Sequence, residues 1–269
     1  MNIPLEKYAE IFLLGLIQGI TEFFPISSSG HLVIGQKIFS LEFPSSSFEI
    51  LLHFGTLISI FIFFRKDIKK IIFEMYNESL VFKKEKNEYN STGWLIIVAT
   101  IPAAFFGILF EDFFDSLFNE TKIVGFSLII TGAFLYASSI FNFRNSLQKF
   151  NWKHAFFLGL IQVFAFIPGI SRSGFVIATG IILGMRKTYA TKFALLLGIP
   201  TIGGAVIVKG IALTKSGLIP WEEYAIGALT ACITGIITIS LLMKIARKTN
   251  FKFFAIYCVL TGITTLFLF

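Results

Sequence analysis

Charged residues are scarce in this chain: 14% of its 269 residues are Asp, Glu, Lys or Arg, against about 25% in soluble domains. Hydrophobic residues make up 55%, and 34 of them are phenylalanines. This composition excludes an ordinary soluble domain. Several apolar runs approach the ~20 residues that cross a bilayer as a helix. They include Gly93–Phe110, Ile123–Phe141, Tyr189–Val208, Glu222–Met243 and Phe251–Phe269. We therefore predict an all-α polytopic membrane protein, built as a single integral membrane domain over residues 1–269.

Cysteine and histidine are also rare, with two and three residues respectively. Cys232 and Cys258 lie in different apolar runs with no Cys or His at a metal-ligand spacing, which predicts packed, reduced thiols. The net charge of +7 arises mostly in short loops between apolar runs. Basic loops of this kind set membrane orientation, and we predict no nucleic-acid partner.

The charged loops predict the topology. Positively charged loops face the cytoplasm, and four segments are basic, whereas Glu111–Thr121 carries four acids and no base. The basic segments are residues 65–92, 142–153, 185–192 and 244–252. Residues 154–185 would then begin and end in the cytoplasm, yet they number only 32. Two crossings need about 40 residues, so the chain must turn back inside the membrane.

An internal repeat supports this turn. At an offset of 144 residues, eight of the sixteen positions of 15–30 are identical to those of 159–174. Three crossings, predicted at 49–64, 93–110 and 123–141, separate the two copies. The second copy therefore enters from the opposite face, as in an inverted-topology repeat. We expect repeat 1 at about 1–142, repeat 2 at about 154–269, six transmembrane helices and two re-entrant helix-loop-helix hooks.

The first hook, about residues 8–38, carries polar groups at membrane depth, where they are costly and usually functional. Gln18 and Glu22 are four residues apart, hence on one face of a helix that we expect to end near Pro25. Glu22, with Gln18 beside it, could hold a divalent metal or orient a proton. The serines Ser27, Ser28 and Ser29 either bind an anion or simply cap the next helix, which we expect to begin around His31.

The second hook places Arg172 opposite Ser28 of the first, between Ser171 and Ser173. A guanidinium suits phosphate or carboxylate, and backbone N–H groups at a helix start add an anion cradle. The alternative is that Arg172 only pairs with Glu22 between the repeats.

Three further residues are candidates for neighbouring positions. His31 is a candidate nucleophile or general acid/base, the alternative being a packed hydrogen-bonding residue. Glu49 is a weaker candidate for the cavity, and we interpret His53 as a core or interfacial residue.

These residues resemble a known family. The segment from Gln18 to Leu32 resembles the first signature of the bacterial undecaprenyl-diphosphate phosphatases of the bacitracin-resistance type, in which Glu or Gln precedes a Glu by four residues. Pro168 to Gly174 resembles their second signature, Pro-Gly-x-Ser-Arg-Ser. Val176 departs from it, because the family usually has threonine there, and we assign that position no role.

The resemblance implies hydrolysis of undecaprenyl diphosphate to undecaprenyl phosphate, the lipid carrier of peptidoglycan and cell-wall synthesis, and with it bacitracin resistance. It also implies a divalent cation, Mg²⁺ or Ca²⁺, and a multi-pass protein of the bacterial inner membrane whose active site faces the outer side. Catalytic roles are implied for Glu22, Ser27, His31 and Arg172, and metal binding for Glu22 and Gln18. Substrate binding is implied for Gln18, Ser28, Ser29, Ser171, Ser173 and Gly174.

We expect the partners to be a polyprenyl diphosphate and membrane lipid, with a homodimer left open. Whether Ser27, His31 or water attacks phosphorus is not decided by the spacing. The rival hypothesis is a transporter or flippase of an anionic or phosphorylated lipid, because inverted repeats with re-entrant hooks are also a transporter architecture.

Overall fold

The computed structural model describes residues 5–39, 45–80, 88–140, 150–215 and 221–269, and these residues are almost entirely helical. The helices are α1 (Leu5–Thr21), α2 (Ser28–Phe39), α3 (Ser45–Phe63), α4 (Arg65–Leu80), α5 (Glu88–Leu109), α6 (Glu111–Ser116), α7 (Thr121–Ile140), α8 (Trp152–Val163), α9 (Arg172–Ile182), α10 (Lys187–Lys215), α11 (Trp221–Lys248) and α12 (Lys252–Leu268). Short 3₁₀ turns follow α6 at Leu117–Asn119 and α8 at Phe164–Phe166.

Four of the described helices are long and apolar enough to cross a membrane: 92–109 in α5, 121–140 in α7, 187–211 in α10 and 225–248 in α11. They coincide with four of the six predicted crossings. The other two predicted crossings correspond to the apolar helices α3 and α12. The all-helical membrane class is therefore confirmed.

Large apolar side chains point outward along these helices, as expected where the surrounding medium is lipid rather than water. Phe105 on α5, Phe126 on α7 and Phe253 on α12 are each more than half exposed. The main buried cluster draws residues from both halves of the chain, for example Ile60 of α3, Leu135 of α7 and Phe193 of α10. The core therefore lies where the helices pack on one another.

Two helix pairs correspond to the predicted hooks. The chain leaves α1 at Thr21, turns through residues 22–27 and returns as α2, which packs on α1. It leaves α8 through a 3₁₀ turn, bends at residues 167–171 and returns as α9, which packs on α8. Hook 1 is defined as residues 5–39 and hook 2 as residues 152–182.

Two of the predicted boundaries are wrong by a few residues. α2 begins at Ser28 rather than around His31, because Ser27 already serves as its cap. α1 ends at Thr21 and not at Pro25, although Glu22 and Phe24 still donate their backbone N–H groups four residues back. The predicted basic segment 65–92 also contains a helix, α4, whose exposed face carries lysines and aromatic residues.

Candidate active site

The tip of hook 1 is closed by a serine in a rare backbone conformation. Ser27 has φ of 72°, a left-handed value that costs a non-glycine residue about 1–2 kcal/mol. Its Oγ accepts the backbone N–H of Gly30 at 3.3 Å and so caps α2. Its carbonyl accepts His31 Nδ1–H at 2.7 Å. The alternative that a serine of this turn caps the helix therefore holds for Ser27.

The tip of hook 2 uses the same cap with a different turn. Ser171 Oγ accepts the N–H of Gly174 at 3.1 Å, which matches the Ser27–Gly30 bond at the repeat offset. The positive φ lies two residues earlier, at Gly169, where it is 93°. Thr131 of α7 anchors the turn, since its hydroxyl donates to the Gly169 carbonyl at 3.1 Å and accepts the Ser171 N–H at 3.2 Å.

The two tips touch each other through an ion pair. Arg172 Nη2 of hook 2 lies 3.0 Å from Glu22 Oε1 of hook 1. Ser29 Oγ accepts the Gly169 N–H at 3.4 Å, and Ser173 Oγ donates to the Phe24 carbonyl at 3.5 Å. The pairing of Arg172 with Glu22, which was the alternative to anion binding, is thus present, and it joins the two halves of the chain at one point.

Donors surround both oxygens of the Glu22 carboxylate. Ser28 Oγ donates to Oε2 at 2.6 Å, and Gln18 Nε2 donates to the same oxygen at 3.2 Å. His53 Nε2 of α3 lies 3.5 Å from Oε2. A buried carboxylate is stable only when it is paired and hydrogen-bonded in this way, so Glu22 is held as an anion in one orientation.

The Arg172 guanidinium also contacts α10, on the side away from Glu22. Its Nη1 donates to the Ala194 carbonyl at 3.3 Å, and a methyl group at Gly198 would come within 2.8 Å of that nitrogen. Glycine is therefore needed at 198 for the guanidinium to lie against the helix. Part of the side chain stays accessible, with 16% of its surface exposed, so an anion could still reach it.

A cavity of about 860 Å³ opens over this pair. Its floor is polar and comes from both hooks, and its walls come from α2, α3, α5, α6, α8 and α10. The polar floor consists of Glu22, Ser27, Ser28, Ser29, Ser171 and Arg172. The apolar wall includes Ile50, Ala103, Phe114, Phe166, Ile202 and Val206. Charged residues away from the floor, among them Lys37, Glu49 and Lys209, also line the cavity. A ligand with an anionic head and an apolar tail would match the floor and the apolar part of the wall.

Four of the predicted site residues lie behind the cavity wall. Gln18 is fully buried against Glu22. Ser173 and Gly174 bond within hook 2 and to hook 1. His31 lies on the other face of α2 from Ser29 and Val33, and its Nε2 contacts the hydroxyl of Tyr257 on α12 at 2.7 Å. These residues support the site rather than line it.

A comparison with known families identifies the family of the chain. The family model described as "Bacitracin resistance protein BacA" matches residues 11–264. The chain belongs to this family.

Curated relatives of this family cover nearly the whole chain. A protein of Halothermothrix orenii named undecaprenyl-diphosphatase is 40% identical over 270 residues, covering 98% of each chain. Proteins of the same name from Methanosphaera stadtmanae and Methanococcus vannielii are each 38% identical, covering 95% and 96% of this chain and 96% and 99% of their own. The BacA family match covers most of hook 1, all of hook 2 and the helices between them.

Three residues at or near the site, His53, Glu49 and Tyr257, were missed or undervalued by the sequence reasoning. His53 lines the cavity beside Glu22, so its interpretation as a core or interfacial residue is wrong. Glu49, one helical turn earlier on α3, lines the same cavity as predicted. The four-residue spacing of Glu49 and His53 places both on one face, and that signal could have been used. No comparable spacing in the sequence relates Tyr257 to the site residues.

The groups around Glu22 meet some of the requirements of a divalent-cation site. Gln18 Oε1 is buried and has no hydrogen-bond partner, while the nitrogen of the same amide donates to Glu22. The described residues contain no group of three or more His, Cys, Asp or Glu that could hold a metal by themselves. Mg²⁺ commonly takes one or two carboxylates and completes its shell with water and substrate phosphate, and this set of donors suits that mode.

Proposed function

We propose that this chain hydrolyses undecaprenyl diphosphate to undecaprenyl phosphate and inorganic phosphate, and that it thereby recycles the lipid carrier of the bacterial cell wall. Membership of the bacitracin resistance family and relatives named undecaprenyl-diphosphatase support the substrate. The observation that carries the chemistry is the cluster at the meeting point of the hooks. There Ser28 donates to Glu22, and Glu22 pairs with Arg172, at the floor of one cavity.

The membrane arrangement we propose has six crossings and two re-entrant hooks in the bacterial cell membrane. α8 and α9 have 12 and 11 residues, which span only about 18 Å at 1.5 Å per residue. A bilayer core is ~30 Å thick, so neither helix would cross it. The acidic helix α6 borders the cavity through Phe114 and Asp115, so the positive-inside rule puts the opening on the outer side.

Helix packing supports the proposed division into two inverted repeats. The first helix of hook 1, α1, packs on α11, and the first helix of hook 2, α8, packs on α5, which is the counterpart of α11. Gly15 and Gly159, at the repeat offset, make the close approach in each seam, to Gly227 and to Ala99. α3 packs on α10 and α7 on α12, as partners related by the same two-fold axis would. Because one two-fold axis relates the two repeats, the tips of hook 1 and hook 2 meet near that axis.

The terminal phosphate is bound by groups from both hooks. The forked guanidinium of Arg172 suits two phosphate oxygens at once. The first N–H groups of α2 and α9 have no partners within their own helices, and both helix starts lie at the tips, where they favour an anion. Positioning and charge stabilisation provide most of the catalysis in phosphoryl transfer.

Ser28 is the hydroxyl that the geometry favours as the attacking group. Its proton already points at Glu22 Oε2, 2.6 Å away, so the carboxylate can accept it as Oγ bonds to the terminal phosphorus. The bridging P–O bond breaks and undecaprenyl phosphate leaves; water then cleaves the phosphoserine and releases phosphate. Ser27 is less suited, because its Oγ caps α2, and His31 faces away from the cavity.

Glu22 would hold the divalent cation, Mg²⁺ or Ca²⁺, that the family resemblance implies, and Gln18, buried behind it, would orient the carboxylate. The cation would neutralise phosphate charge when bound. The apolar wall around Phe166 and Ile202 would receive the isoprenoid tail, while lipid surrounds the rest of the protein.

Phosphate release from purified protein in detergent tests this function, because transport cannot be observed without two compartments. Wild type should release inorganic phosphate from undecaprenyl diphosphate, and Arg172→Ala should not. A transporter is the second candidate, favoured by the inverted pairing of helices. If wild type releases no phosphate in detergent but moves polyprenyl phosphate between the leaflets of vesicles, the transporter hypothesis is correct.

A further inference from the structure

The strained residue Ser27 needs something to hold it. Among the described residues it is the only non-glycine residue with a positive φ. Such conformations persist where the surrounding structure over-determines them, and they cluster at functional sites. Ser27 directly precedes Ser28, so its backbone angles set the direction in which the Ser28 hydroxyl points. Whatever holds Ser27 therefore also orients Ser28 towards Glu22.

His31 holds the Ser27 carbonyl from the next helical turn. Its ring Nδ1 lies 2.7 Å from that oxygen, and its backbone N–H lies 3.3 Å from it. A carbonyl oxygen only accepts, so Nδ1 must carry the proton and donate. In the neutral ring Nε2 is then left as an acceptor. Both polar atoms of the ring are thus used on the side of α2 that faces away from the cavity.

Tyr257 of α12 fixes the other side of that ring. Its hydroxyl lies 2.7 Å from His31 Nε2, and the two rings are stacked at 5.6 Å with planes 8° apart. With Nε2 as an acceptor, the tyrosine hydroxyl donates. The hydrogen bonds therefore run in one direction, from Tyr257 to His31 and from His31 to the backbone of Ser27.

Hook 2 has no such chain of bonds and does not need one. The position that matches His31 at the repeat offset is Phe175, which stacks on Phe134 of α7 at 4.6 Å. The position that matches Ser27 is Ser171, whose φ is −81°, an ordinary value. The hydrogen-bonding histidine and its tyrosine thus occur only in the hook whose turn is strained.

We propose that Tyr257 is a positioning residue, which acts through His31 to hold the left-handed turn at Ser27 and so aims Ser28 at Glu22. This inference rests on the proposed phosphatase function. It gives His31 a role that is not chemical, because neither ring nitrogen is free to transfer a proton at the phosphate. It also adds α12, which supplies no lining residue of the cavity, to the parts of the chain that control the reaction.

The test compares Tyr257→Phe with wild type in phosphate release from undecaprenyl diphosphate. The phenylalanine keeps the ring stacked but removes the hydroxyl. We expect kcat to fall about 10-fold, the effect of one lost orienting hydrogen bond, with KM within about twofold of wild type. Tyr136→Phe on α7 removes a hydroxyl from another half-exposed tyrosine and serves as the control, with unchanged kcat.

A second variant separates positioning from proton transfer. In His31→Asn the side-chain amide can still donate to the Ser27 carbonyl but cannot reach Tyr257. We expect a kcat about 10-fold below wild type, and the double variant His31→Asn/Tyr257→Phe should be no slower than His31→Asn alone. A proton-transfer role for His31 predicts instead a loss of about 1000-fold in His31→Asn.

Unchanged kcat in Tyr257→Phe, a loss of about 1000-fold in His31→Asn, or multiplying losses in the double variant would each overturn the inference while leaving the proposed function intact. A wild-type protein that releases no phosphate would overturn the proposed function and this inference with it.

Discussion

The two hooks share half of their tip sequence, yet they build different turns. Both place a serine as the cap of the returning helix, Ser27 in one and Ser171 in the other, with the same bond to a glycine three residues on. Hook 1 makes its reversal with a strained serine, and hook 2 makes it with Gly169. The identical residues form the common frame, and the residues that differ decide what each hook contributes.

The differing residues are complementary. Hook 1 has Glu22 where hook 2 has Phe166, and hook 2 has Arg172 where hook 1 has Ser28. One hook therefore supplies the anion and the hydroxyl, and the other supplies the cation. Phe166 packs on Phe114 of α6, with ring centroids 5.1 Å apart, and belongs to the apolar wall. The two tips therefore contribute unlike side chains to the same cavity.

The largest effect should come from making hook 2 resemble hook 1. Arg172→Ser removes the guanidinium that pairs with Glu22 and that would bind two phosphate oxygens. We expect phosphate release to fall by about 1000-fold or more. Arg172→Lys should retain a small part of the activity, because the charge remains but the bidentate geometry is lost. Arg247→Ser, at an exposed position near the end of α11, is the matched control. Activity of Arg172→Ser near that of wild type would show that the hooks do not share one anion site.

The next effect distinguishes two neighbouring serines of hook 1. Ser28→Ala removes the hydroxyl that donates to Glu22 and should lower phosphate release by about 100-fold or more. Ser27→Ala and Ser171→Ala remove equivalent caps, so each should lower the free energy of unfolding by about 1 kcal/mol. Their rates should stay within about tenfold of wild type. Ser27→Ala being slower than Ser28→Ala would reverse the assignment.

The two turns should also respond oppositely in thermal unfolding. Gly169→Ala puts a methyl group at a positive φ and about 2.6 Å from the Val124 carbonyl oxygen, so it should destabilise the protein by more than about 1 kcal/mol. Ser27→Gly relieves backbone strain and loses a cap, and these two changes should nearly cancel, to within about 1 kcal/mol. Equal losses of melting temperature in both variants would contradict the difference between the turns.

The smallest effect concerns the matching glutamines. Gln18 donates to Glu22, whereas Gln162 donates to the Ala99 carbonyl at 2.7 Å. Gln18→Met should therefore slow phosphate release about tenfold, since one hydrogen bond to a charged group is lost. Gln162→Met should lower stability by about 1 kcal/mol with little change in rate. A larger loss of rate in Gln162→Met than in Gln18→Met would contradict this division.

The membrane helices and the pairing of the hooks were predictable from the sequence because both follow from local patterns. Hydropathy predicted α5, α7, α10 and α11 to within a few residues at most ends, and the gapless repeat placed Arg172 opposite Ser28. A buried guanidinium needs a partner, and Glu22 was the alternative to a bound anion. The observed 3.0 Å contact satisfies that requirement.

The remaining features depend on side-chain direction, which the repeat does not encode. No spacing rule relates Tyr257 to His31, because their contact is set by the packing of α12. The early start of α2 depends on the positive φ of Ser27, a value that hydropathy and composition do not predict for serine. His53 reaches Glu22 only because α3 is packed beside the tip of hook 1.

The central claim is that Glu22 and Arg172, from opposite halves of the chain, form one coupled pair. A double-mutant cycle in thermal unfolding tests it without relying on activity, with Glu22→Gln, Arg172→Gln and the double variant in the same detergent. We predict that each single change leaves an unpaired buried charge and costs about 3–5 kcal/mol, while the double change costs clearly less than the sum. Strictly additive losses would contradict the pairing of the two hooks.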